Sequence, residues 1–202
     1  MTKLIVIEKL NKPRKIPSKD TKLVLVGLTP GRRQHEAINS SENALSGSFK
    51  GMRKQIFAWF EILKISKILN IDNEDSIFNE KRFLKMTYIT SLLREPVYIK
   101  SNGKLSNYSG RNPFPWCNDD LTKLMHQTLD ILSRLDKPCL IVPMGQIVSE
   151  ALVKFSSLDE SHYILHGFPH PSGANGHRHR EFEENCPKLK KIVRRWIEDG
   201  HV

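Results

Sequence analysis

Cysteine is scarce in this 202-residue chain: Cys117, Cys139 and Cys186 stand far apart, with no Cys-x-x-Cys pair. That excludes a disulfide framework and offers no ready zinc or iron–sulfur site. No apolar run approaches the roughly 18 residues of a membrane helix. The opening Met1-Thr-Lys-Leu-Ile-Val-Ile-Glu8 lacks the shape of a signal peptide. A reducing, cytoplasmic setting without a membrane partner is expected. Acidic residues are outnumbered, 22 against 32 lysines and arginines, for a net charge of +10. Such an excess points to nucleic acid, and less often to an anionic membrane surface; the bland alternative is a surface of scattered, solvated lysines. Internal repeats and low-complexity tracts are missing as well. The expectation is a basic N-terminal arm over residues 1–20, extended on a single domain over residues 21–202.

What is present is an alternation of strands and helices. Leu23-Val-Leu-Val-Gly-Leu28 is apolar as a central parallel strand is, within a strand predicted over 22–28. Further strands are predicted over 86–93, 139–144 and 162–167. Met52, Ile56, Phe57, Trp59, Phe60 and Leu63 recur at helical spacing; so do Leu121, Met125, Leu129 and Leu132, and again Ile147, Val148, Ala151, Leu152 and Phe155. A last helix is predicted to start near Pro187, since proline favours a first turn. Residues 100–116, rich in Asn, Gly, Ser and Pro, read as a long functional loop. The fold class predicted is α/β: three layers, α/β/α, around a central four-stranded parallel sheet. Ligands of such sheets bind beyond the C-terminal strand ends. Here those ends run into Gly27-Leu-Thr-Pro-Gly31, Ser91-Leu-Leu-Arg-Glu-Pro96, Pro143-Met-Gly-Gln146 and His170-Pro-Ser-Gly173.

The last of these belongs to a dense stretch, residues 166–180, with four histidines (His166, His170, His177 and His179), Pro169 and Pro171, three glycines, Arg178 and Arg180. Prolines stiffen such a loop, and glycines admit close backbone approach. Ser172, Asn175 and the histidines offer hydrogen bonds, and the arginines fixed charge. The loop suits an anionic polymer, with a histidine acting on something small. No carboxylate or cysteine lies within the stretch itself, and no metal site, and no other cofactor, is expected.

In this order the segments resemble the uracil-DNA glycosylase superfamily, over residues 22–197 or so. Its first motif is matched by Gly27-Leu-Thr-Pro-Gly31, its second-strand ending by Thr90-Ser-Leu-Leu-Arg-Glu-Pro96, and its last by His170-Pro-Ser-Gly-Ala-Asn175. Arg111-Asn-Pro-Phe-Pro115 with Cys117 and Leu121 is similar to a segment of some branches. The resemblance implies cleavage of the N-glycosidic bond of a base flipped out of DNA; a monomer is expected. It implies His170 as the donor to the departing base and Thr29 as the residue at the water-orienting position. Gly27, Phe49, Ser91 and Ser172 are implied to bind the base. Gly31, Gly173, Ala174, Asn175, His177, Arg178 and Arg180 are implied to contact DNA.

Two departures shape the expected substrate. Thr29 stands where many members carry Asp or Asn; its hydroxyl is a poor base, leaving Gln34, His35 or Glu36 as alternatives for water. Ser91 stands where uracil readers carry Asn, which removes a bidentate reader and frees volume. A bulkier modified pyrimidine, including the hypermodified bases of phage DNA, is therefore expected in place of plain uracil. The alternatives are a nucleic-acid-binding module that has lost catalysis, a conventional uracil-excising repair enzyme, and a hydrolase of free nucleotides or nucleosides.

Overall fold

The structure, a computed structural model, describes residues 4–10, 16–40 and 47–201. Residues 11–15, the middle of the basic arm, lie outside the described residues, as does Ser46 ahead of Phe49. In chain order the strands are β1 (Leu4–Ile7), β2 (Leu23–Gly27), β3 (Thr87–Ser91), β4 (Val97–Ser101), β5 (Lys104–Asn107), β6 (Leu140–Pro143) and β7 (Tyr163–Ile164). The helices are α1 (Arg32–Ser40), α2 (Arg53–Ile62), the short α3 (Ile65–Leu69), α4 (Ser76–Asn79) and α5 (Lys81–Met86), then α6 (Asp119–Ser133), α7 (Gln146–Phe155), the short α8 (Leu158–Ser161) and α9 (Arg178–Glu198).

Four parallel strands pair in the order β3-β2-β6-β7. Within β2, Leu23 to Val26 are wholly buried. Successive side chains of a strand point to opposite faces, and both faces are covered. Leu23 and Leu25 join a core with Ile56, Trp59 and Phe60 of α2 and Leu189, Val193 and Trp196 of α9. Val24 and Val26 join another with Leu121, Met125 and Leu129 of α6 and Val148 and Leu152 of α7. This is the expected three-layer α/β/α fold.

The chain leaving β2 leads into helices on the first face, whereas the chain leaving β6 enters α7 on the second. Loops that part to opposite sides from neighbouring strands leave a crevice at their C-terminal ends, the place where open α/β sheets bind ligands. In this protein that crevice lies between Gly27-Leu28-Thr29 and Met144-Gly145.

The start of the arm over residues 1–20 lies on the domain as a strand: β1 pairs antiparallel with β4, from Leu4 opposite Lys100 to Ile7 opposite Val97. Several expectations need correction. The stretch 100–116 is not one loop, because β4 and β5 form a hairpin that completes a three-stranded sheet, β1-β4-β5. Its turn is Asn102-Gly103, both at positive φ (50° and 74°), the pairing that a tight hairpin turn prefers. The polar stretch after Gly31 forms α1. The last helix starts nine residues before Pro187, at Arg178. Phe182 explains the early start: it stacks on Trp59 at 4.8 Å and extends the buried face of Leu189, Val193 and Trp196 by two turns, while Pro187 lies on the exposed side. Strand β7 is shorter than 162–167, since the chain turns at His166, whose N–H donates to Ile164 O (2.9 Å), and passes through Gly167 at φ +92°.

Phe168, just before the histidine loop, is 1% exposed and packs against Trp59, Phe60 and Phe182. Phe168→Ala is expected to lower unfolding free energy by about 3–5 kcal/mol, the cost of emptying a buried aromatic site. Denaturant titration checks it; a loss under about 1 kcal/mol would mean that this core collapses around the gap.

Candidate active site

The crevice gathers residues distant in sequence. Gly27 pairs with Ser91 across β2 and β3, and a Cβ placed on Gly27 would lie 3.4 Å from Phe49 Cζ and 3.7 Å from Ser91 Oγ. A side chain at 27 would therefore fill the space these three share. Phe49 holds a left-handed backbone (φ 53°), uncommon for a bulky residue and found where surroundings over-determine the chain. Its ring is 8% exposed and packs into the core beside Phe78. Phe49 thus serves as core and presents a ring edge, rather than an open face, to the crevice. Ser91 is buried.

His170 enters from the other side. Val26 is level with Pro143, and Met144 N–H donates to Val26 O (2.8 Å), so Gly145 stands just beyond β2's end. There φ is +100°, and a Cβ would meet His170 Cβ at 3.0 Å. Gly145 is a glycine for two reasons, conformation and contact. Ser172 N–H donates to His170 Nδ1 (3.3 Å). An Nδ1 that accepts leaves the ring proton on Nε2, so neutral His170 offers an N–H donor there. Burial holds its pKa below the ordinary histidine value, which keeps the ring neutral at pH 7.

The rest of the loop is largely self-contained. Ser172 Oγ accepts from Ala174 N–H (3.2 Å). Asn175 donates Nδ2 to Glu181 Oε2 (2.9 Å) and to His170 O (3.4 Å), while its Oδ1 accepts from His177 N–H (3.2 Å). Arg178 turns its guanidinium back on the carbonyls of Gly173 and Asn175 (3.4 and 3.3 Å). Asn175 and Ser172, and Arg178 through Nη1, thus also brace the loop from within. Gly173, Ala174, His177 and Arg180 are exposed; Arg180 pairs with Glu184 at 3.7 Å, both well solvated, a pairing too weak to hold it from a phosphate.

Thr29 is also committed. Its hydroxyl donates to Glu95 O (2.9 Å) and accepts from Val97 N–H (3.0 Å), tying the first motif to the second. The hydroxyl expected at the water-orienting position is thus engaged by two backbone groups. Gly31 starts α1, its carbonyl accepting from His35 N–H (2.9 Å). Of the alternatives for water, Gln34 donates to Ser48 Oγ (3.0 Å), and Glu36 lies beside Arg32 (3.3 Å). His35 Nδ1 lies 3.1 Å from Glu8 Oε2 and 3.3 Å from Tyr98 Oη, beside a cavity of about 450 Å³ between α1 and the hairpin. Glu8 was missed in the sequence because nothing local marks it; the β1–β4 pairing brings it there. A cavity of about 540 Å³ beside β7, lined by residues including Lys137, His162 and His166, is separate from the crevice.

No family model matches the chain. It is similar to the uncharacterized protein YoxB of Bacillus subtilis (strain 168), 29% identical over 198 residues that cover 88% of this chain and 75% of that protein. Among the described residues no helix is long and apolar enough to cross a membrane.

Thr29→Val keeps the shape but strips partners from Val97 N–H and Glu95 C=O. It is expected to cost about 1–3 kcal/mol of stability, whereas Thr29→Ser costs little; equal stability of Thr29→Val and wild type would show the bonds to be dispensable. His162, His166 and His170 all have pKa values lowered by burial, and the Nδ1 of His162 also accepts a backbone N–H, from Cys139. Folded values below unfolded ones mean that the unfolded chain takes up protons first as pH falls. Stability should be intact above about pH 6.5 and fall as pH drops through the depressed folded values. Unfolding midpoints measured between pH 8 and 5 check this, and a midpoint flat across that range contradicts it.

Proposed function

We propose that the protein is a DNA glycosylase that hydrolyses the N-glycosidic bond of a flipped-out, modified pyrimidine. One observation carries the reading: Gly27, Phe49, Ser91 and His170, from four segments, come to the crevice between β2 and β6, with the His170 donor on Nε2. As the bond from C1′ to the base nitrogen breaks, its electron pair passes to the base and the sugar becomes oxocarbenium-like. A preorganised N–H beside the base oxygen stabilises that charge more in the transition state than in the ground state. Water then adds its hydroxyl to C1′, and its proton balances the departing base. His35, with Glu8 on Nδ1, has the arrangement of a general base and replaces Thr29 as the residue we assign to that water. Ser91 supplies one hydroxyl where an amide would read uracil at two points, which favours a larger base.

The committed hydroxyl of Thr29 favours one other reading, a DNA-binding module of this fold with weakened catalysis. Duplexes that differ only in one pyrimidine, assayed for abasic sites, separate the two. Release of a bulky modified pyrimidine ahead of uracil is expected. His170→Ala should lower release by about two to three orders of magnitude while salt-sensitive DNA binding persists. Unchanged release by His170→Ala would make this histidine structural; binding without release from any duplex would favour the module.

A further inference from the structure

The segment after β5 holds a feature that the proposed chemistry leaves unused. Phe114 is 37% exposed, and its ring stacks on Trp116 at 5.1 Å with the planes 7° apart. Trp116 is backed in turn by Phe155 at 5.6 Å, and the Lys154 ammonium lies 5.2 Å from its ring centroid. Single exposed apolar side chains are ordinary. This one differs in its mounting and its place.

The mounting is stiff. Pro113 and Pro115 flank the ring; the Tyr108 hydroxyl donates to Pro113 O, Thr122 Oγ1 donates to Pro115 O (3.0 Å), and Cys117 N–H donates to Phe114 O (2.9 Å). The segment that carries it starts at the edge of the crevice. Gly110, at φ +85°, lies where a Cβ would come within 3.0 Å of both Leu28, at the end of β2, and Ile147, in the first turn of α7. The next residue, Arg111, reaches Gln146 (3.4 Å) and is exposed. Phe114 follows three residues later, and its stacking partner Trp116 carries the Lys154 ammonium. The exposed tip of the histidine loop, Gly173-Ala174, carries no ring.

We propose that Phe114 is a platform on which an unpaired nucleobase of bound DNA stacks, on the strand whose flipped base the crevice holds. The proposal rests on the glycosylase reading and adds a subsite to it. A flat hydrocarbon face held rigidly loses little freedom when it is covered, and stacking tolerates any base because each has a π-face. Lys154 at the stack, exposed Arg111 earlier in the segment and the net charge of +10 select a polyanion over an apolar protein segment.

The test uses a short single-stranded oligothymidylate and an abasic strand of equal length and charge. Phe114→Ala should weaken binding of the base-bearing strand roughly 5- to 100-fold, the scale of one lost stack, and leave the abasic strand unaffected. Phe114→Tyr should bind as wild type. Phe114→Leu keeps bulk without a π-face and should behave like Phe114→Ala, which covers the case in which the alanine variant is unstable. Trp59 and Trp196 are buried, so Trp116 is the tryptophan open to iodide; bound oligothymidylate should shield it in wild type. If Phe114→Leu discriminates the two strands as wild type does, the platform is wrong and the glycosylase reading stands. If wild type binds neither strand nor any duplex, both fall together.

Discussion

Strand β2 has water on neither face and on neither edge. Its side chains from Leu23 to Val26 are wholly buried, so its backbone N–H and C=O groups can be satisfied only by other strands. β3 and β6 supply those partners in parallel register. That requirement makes β2 central, and parallel pairing forces each link between neighbours to cross over a face of the sheet. With β3 reached over one face and β7 over the other, the loops after β2 and β6 must separate. The crevice follows from the burial of one strand, and Gly27, Ser91 and Gly145, which makes room for His170, take their positions from it.

What fills the crevice is decided by close approach. Gly27 leaves room for the edge of Phe49 beside Ser91, and Gly145 leaves room for His170. Around His170, Asn175, Ser172 and Arg178 direct their polar groups inward. A loop built this way is preorganised: its donor is in place before any ligand arrives, and little ordering remains for binding to supply. The same bonds draw the Asn175 amide and one nitrogen of Arg178 into the loop.

This division also separates what the sequence disclosed from what it withheld. The four parallel strands were legible because each is a largely apolar run, and the resemblance that singled out Gly27, Ser91 and His170 points to segments that the fold brings to one crevice. Strand β5 escaped because all four of its residues are exposed, so no alternation marks it, although Asn102-Gly103 announces the turn. Helix α1 escaped for want of an apolar stripe. Pro187 misled because its favoured first-turn position was given more weight than Phe182, five residues earlier on the buried face. The roles of Thr29 and Glu8 depend on partners as far off as Val97 and His35, and no local pattern encodes a pairing between β1 and β4.

The added sheet gives those distant partners a common logic. β1 and β4 pair directly, and Glu8 N–H continues the ladder to Pro96 O (3.0 Å). Leu10 N–H then reaches the Glu95 carboxylate (2.7 Å), while Thr29 spans Glu95 and Val97. The first motif, the second motif and the chain after β1 are thereby fastened at one corner, where His35 of α1 meets Glu8 and Tyr98. A threonine at position 29 suits this arrangement because a hydroxyl can donate and accept at once, which a carboxylate, an acceptor only, cannot. Thr29 thereby locks two loops together, and the charged pair that meets beside it is Glu8 with His35.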